Sequence, residues 1–135
     1  MNYINRIIFC VFCSLILVNL QGQSLTPLES IGQLIRLGDS KKIGAYLDKS
    51  VEITIENNQK LYSKAQAEQI LDRFFEKNTP KQFDLIHKSK VKEGKSEYGI
   101  GELYTISNKK YRTYFYIVLV KEHYLIRELN FEQKE

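Results

Sequence analysis

SKAQAEQILDRFFEK, residues 63–77, decides how the rest of the chain is read. Ala67, Ile70, Leu71, Phe74 and Phe75 recur at i, i+3, i+4, i+7 and i+8, the spacing of one helical face. Ser63 with Gln66 three residues on forms a capping box, and Tyr62 stands where a hydrophobic staple onto Ala67 would start. Two adjacent phenylalanines at the end of such a face need a broad apolar partner. The C-terminal third of the chain supplies β-rich runs, so the helix is expected to lie as a lid on a curved sheet.

On the N-terminal side, Thr26-Pro27-Leu28-Glu29 opens another helix, with Thr26 as N-cap, Pro27 in first position and Glu29 closing a second capping box. Leu28, Ile31, Leu34 and Ile35 share a face, and Gly38 is a natural stop. Asp39 and Ser40 can cap a short helix that carries Ile43 and Leu47 and ends near Asp48. Residues 51–55 alternate as a half-buried strand. Residues 56–59 are turn-prone, and residues 60–62 can pair back.

On the C-terminal side, Asn78-Thr79-Pro80 ends the long helix. Phe83, Leu85 and His87 fall on one side of the next strand, with Asp84, Ile86 and Lys88 on the other. A strand over residues 97–107 contains Gly99 and Gly101, which suggests a bend, a bulge or a close crossing by another element. YRTYFYIVLV, residues 111–120, reads as the central strand covered on both faces. Thr113, Phe115, Ile117 and Leu119 are expected to face the helices. Arg112, Tyr114, Tyr116, Val118 and Val120 are expected to face outward. Residues 124–131 make the last strand, and residues 132–135 are expected to fray. Helices beside an antiparallel meander give an α+β domain with the helices on one face.

At 135 residues, 43% of them hydrophobic, the chain suffices for one globular domain. The net charge is +4, and the basic patch at Lys88, Lys90, Lys92 and Lys95 reads as a solvated loop. No nucleic-acid module accompanies it, so no nucleic-acid partner is expected. Residues 1–22 follow the plan of a secretory signal peptide: a short start with Arg6, an apolar run over residues 7–20, then Gln21-Gly22. The run is short for a membrane span, which needs roughly 20 apolar residues. The mature domain is then residues 23–135, exported to the periplasm or secreted, with no stable membrane anchor. Cys10 and Cys13 both lie in the apolar run, so the mature chain has no disulfide, thiolate metal site or cysteine nucleophile.

Gly38-Asp39, Tyr62-Ser63-Lys64-Ala65-Gln66-Ala67-Glu68 leading into Phe74-Phe75, Tyr98-Gly99-Ile100-Gly101 and Tyr111-Arg112 carry a resemblance. The element order and these residues resemble the nuclear-transport-factor-2-like superfamily, a cone of curved sheet wrapped on helices. Within it, residues 26–132 look like the small exported Bacteroidetes proteins of domain of unknown function 4783. The resemblance implies the cone and brings no activity with it. In the wider superfamily it implies a pocket in which a carboxylate or histidine base works beside a tyrosine or acid.

His87 as base, Glu102 or Asp84 to orient it and Tyr104 as donor are the residues of that kind. With Phe115, residues His87, Tyr104 and Glu102 are the pocket candidates. The two histidines lack metal-ligand spacing, so no metal site is expected. No phosphate loop or nucleophile elbow occurs, and no cofactor is implied. Tyr114, Tyr116 and Val118 are the interface candidates on the outer face, because tyrosine combines an apolar body with a polar tip. The expectation is a non-catalytic module for a small apolar ligand or a peptide. The alternative is a homodimer or interaction domain built on the outer sheet face. A small-molecule isomerase or lyase is the third reading.

Overall fold

The computed structural model describes residues 22–91 and 93–135. The expected signal peptide and both cysteines lie outside the described residues, apart from Gly22. Helix α1 (Pro27–Leu37) begins with the Thr26 capping box: Glu29 N–H donates to Thr26 Oγ1, and Thr26 N–H to Glu29 Oε2. It stops at Gly38, whose φ of 63° is the left-handed conformation that glycine adopts without cost. Helix α2 (Ser40–Gly44) is shorter than expected, because the chain turns extended by Leu47. Helix α3 (Lys64–Lys77) is the long helix of the opening stretch, with the Ser63–Gln66 capping box formed at both contacts. Ala67, Leu71, Phe74 and Phe75 are its buried residues.

The strands are β1 (Leu47–Ile55), β2 (Asn58–Ser63), β3 (Pro80–Val91), β4 (Ser96–Thr105), β5 (Lys110–Val120) and β6 (His123–Lys134). They form one sheet in the order β2-β1-β6-β5-β4-β3, antiparallel except for β1 and β6, which run parallel. Two expectations are corrected here. The tail does not fray, since Glu132 to Lys134 pair with Arg112 to Lys110. The central strand is covered by helices on one face only. Leu103, Phe115, Ile117, Leu129 and Phe131 are fully buried beneath the helices, while Tyr114, Tyr116 and Val118 stay half-buried on the other side.

Aromatic rings fill the cone. Phe74 lies 4.4 Å from Phe131 and 5.2 Å from Tyr111 between ring centroids, and Phe75 meets Phe131 edge-on at 6.1 Å. Edge and tilted contacts of this kind suit the ring quadrupoles. The two strand glycines make room for them. A Cβ on Gly99 would stand 2.6 Å from Phe115 Cζ, and one on Gly101 would strike the Phe83 ring and lie 2.8 Å from the Asp84 carbonyl oxygen. Of the alternatives that the glycines raised, a close crossing by aromatic side chains is found at both, and a bulge lies in the neighbouring strand opposite Gly101.

Four polar contacts lock the helices to the sheet and to each other. Tyr111 Oη donates to Asn78 Oδ1 at 2.9 Å, while Asn78 Nδ2 donates back to the Phe74 carbonyl. Ser40 Oγ donates to Asp72 Oδ1 and ties α2 to α3. Lys88 reaches Glu29 at 2.9 Å and ties β3 to α1. Together with the Thr26 contacts, that lysine holds the Glu29 carboxyl down at about 2.

Candidate functional site

The pocket candidates do not share a cavity. Phe115 points inward and is fully buried. Glu102 and Tyr104 alternate with the buried Gly101, Leu103 and Thr105, which puts them on the outer face. His87 was expected beside Phe83 and Leu85, and this is corrected by a bulge. Leu85 pairs with Gly101 but His87 pairs with Ile100, so Ile86 is an extra residue and every side chain beyond it changes face. His87 therefore stands exposed on the outer face, and Lys88 turns inward to Glu29.

On that face the expected acid and donor satisfy each other. Tyr104 Oη donates to Glu102 Oε2 at 2.6 Å, and Lys110 Nζ meets Glu102 Oε1 at 2.9 Å while lying over the Tyr104 ring. The Tyr104 bond and then Lys110 lower the Glu102 pKa, and the same bond raises that of Tyr104. A phenol held to a carboxylate in this way keeps its proton for its neighbour.

Tyr114, Tyr116 and Val118 do lie together on the outer face, and a residue the sequence did not single out as a surface tyrosine joins them. Tyr98 pairs directly with Tyr116, and its ring lies 5.8 Å from Tyr114 and 5.7 Å from His87. The contact between Tyr98 Oη and His87 Nε2 is long, at 3.5 Å. The row runs across β3, β4 and β5 and ends on β6 at Glu128 and Asn130. Burial, and then the facing Glu52, raise the Glu128 pKa. Burial, and then Glu128, raise that of Tyr114. Asn130 Oδ1 is buried without a hydrogen-bond partner.

A groove of about 570 Å³ opens at the end of the cone where β5 turns into β6. The N-terminus of α1 and the segment after α2 form its other walls. Ile31 lines its floor, Leu25 and Tyr46 stand exposed at its edges, and Ser30, His123 and Tyr124 supply polar groups. Its lip is the two-residue turn Lys121-Glu122, with φ values of 46° and 69°. Hairpins reserve that conformation for Asn and Gly, and each such residue costs about 1 kcal/mol or more. The groove joins three segments distant in sequence, so no local pattern announces it.

Six strands paired in this order, four pairings antiparallel and one parallel, wrapped on a long helix, define a nuclear-transport-factor-2-like cone. An NTF2-like protein of unknown function from Shewanella baltica superposes with a TM-score of 0.61 at 10% identity, covering all of this chain and 98% of that one. The chain belongs to the family described as domain of unknown function (DUF4783), whose model matches residues 28–132. Crystal structures of DUF4783 family proteins show the same fold. One from Bacteroides uniformis has a TM-score of 0.75 at 24% identity, covering 82% of this chain and 99% of that one. Another, from Bacteroides fragilis, has a TM-score of 0.73 at 23% identity, covering 82% of this chain and all of that one. Comparison with curated proteins gave no match.

Proposed function

We propose that the protein is an exported, non-catalytic binding module that takes a small apolar ligand or a peptide in the groove between α1 and the β5–β6 turn. The observation that carries this is the division of space. Phe74, Phe75, Phe115 and Phe131 occupy the cone interior, while the groove of about 570 Å³ lies at its rim. Binding sites of this size are mostly apolar with a few placed polar groups. The exposed Leu25 and Tyr46 beside Ser30 and Tyr124 fit that description. An isomerase would need His87 and Tyr104 inside the cone, and they stand outside it.

The test uses a neutral solvatochromic dye. Its emission is expected to shift to the blue with the wild-type protein. With Ala45→Arg, which places a charged chain in the groove from an exposed position, the shift should vanish. An equal shift with both proteins, or none with the wild type, defeats the proposal.

The second reading is a homodimer through the outer sheet face. Half-buried Tyr98, Tyr114 and Tyr116, gathered on one side of the sheet, favour it. Tyr116→Glu is expected to convert a dimer to a monomer in native mass spectrometry, and a wild-type protein that is already monomeric removes this reading.

A further inference from the structure

At the opposite end of β5 lies a second groove, of about 340 Å³, between the C-terminal half of α3, the end of β1 and the start of β5. Its floor is apolar, made by Ile55, Ile70 and Phe74. Tyr111 and Asn78 close its base, and they are bonded to each other.

Three cations stand on its rim: Arg73 and Lys77 from α3, and Lys109 from the β4–β5 turn. All three are exposed, and among the described residues none lies within ion-pair distance of a carboxylate. Twelve of the eighteen described lysines and arginines have no acidic partner within that distance, and Arg73, Lys77 and Lys109 are the three of them that converge on this apolar floor.

A cation in the last turn of a helix complements its macrodipole, which accounts for Lys77. Lys109 has no such reason to be there. The turn that carries it is fixed: Thr105 N–H donates to the Lys109 carbonyl, Lys109 N–H donates to Thr105 Oγ1, and Asn108 takes a φ of 62°. A rigid hairpin thus brings a third positive charge to the apolar floor from a different element. Glu56 is the acid on the same rim, which leaves the groove with an excess of positive charge.

We infer that this groove binds the carboxylate end of an apolar molecule, a medium-chain fatty acid, with the alkyl body on Ile55, Ile70 and Phe74. The carboxylate sits among Arg73, Lys77 and Lys109. Guanidinium and ammonium groups on an exposed rim steer an anion and set its orientation, while the apolar floor supplies the contact.

The experiment titrates the ¹⁵N-labelled protein with decanoate, 1-decanol and decyltrimethylammonium. Decanoate is expected to perturb the amides of Ile70, Phe74, Lys109 and Tyr111, more weakly as salt is added. Decanol and the cation are expected to leave them unmoved at the same concentration. The double variant Arg73→Gln, Lys109→Gln changes exposed side chains and keeps the fold, which its amide spectrum verifies. It should bind decanoate weaker by about tenfold. Equal binding of decanol overturns the inference, as does an unchanged affinity in the double variant. Absence of perturbation at millimolar decanoate overturns it too. Perturbation at Tyr46 and Leu125 instead assigns the ligand to the other groove and also overturns it.

Discussion

The two faces of β5 are built from similar residues and treated in opposite ways. Phe115 points under the helices and is wholly buried, while its neighbours Tyr114 and Tyr116 point away and remain half-covered. Inside, a ring is held by other rings and by glycines that give it room. Outside, the rings lean on cross-strand neighbours, and polar groups close on each other, as Tyr104 does with Glu102. The difference is that packing density decides which side chains are indispensable, while aromatic content does not.

The strongest challenge to that contrast is a pair of truncations followed by urea unfolding. Phe115→Ala should cost about 3–5 kcal/mol, as buried phenylalanines do. Tyr116→Ala should cost well under half of that, and equal losses would erase the distinction between the faces. Next comes Gly101→Ala. It adds one carbon where the Phe83 ring and a backbone carbonyl already stand, and should cost about 1–3 kcal/mol. A neutral result would mean that the inner layer is loose.

A smaller change should run the other way. Thr113 is fully buried on the inner face, and its hydroxyl has no hydrogen-bond partner. Thr113→Val keeps the shape, removes the desolvated hydroxyl and should raise stability by about 1 kcal/mol. A loss instead would reveal a partner for that hydroxyl.

The weakest effects separate the faces by pH. Glu29 has a folded pKa of about 2, below the ordinary 4.5, so its contribution is present above pH 4.5 and is lost as pH falls towards 2. Glu128 has a raised pKa, so its cost is absent below pH 4.5 and develops as pH rises through the folded value. Thermal melts should therefore show Glu29→Gln destabilising near neutrality and Glu128→Gln stabilising there. Both differences should fade in acid, and shifts of the same sign would contradict the charges drawn around one of them.

Much of this is legible in the sequence. The capping boxes at Thr26 and Ser63, the stop at Gly38 and the buried face of α3 are local patterns, and local patterns are visible in a linear string. So is the facing of β5 up to Val118, since Phe115 and Tyr116 differ in polarity as well as in parity, whereas Leu119, expected under the helices, is exposed. His87 was misplaced because one inserted residue, Ile86, reverses the parity of everything after it without altering composition. Leu47 lies in β1 and not in the short helix that the local spacing predicts, because its pairing partner, Ile126, is 79 residues on in sequence. The two grooves escaped notice for the same reason, being assembled from segments that meet only in the folded molecule.

The parallel pairing of β1 with β6 has a temporal side. Strand β1 finds β2 at once through a short hairpin, and β3, β4 and β5 can zip up in succession. The two sub-sheets share no strand until β6 inserts between them. Loop closure over most of the chain must precede that insertion, and such non-local contacts form slowly. A nascent or truncated chain that ends before residue 123 would hold the β1–β2 hairpin, the β3–β4–β5 meander and helices with no β6 beneath them. Completion of the domain is therefore an event of β6, and a degradation system that inspects unfinished chains has until then to act.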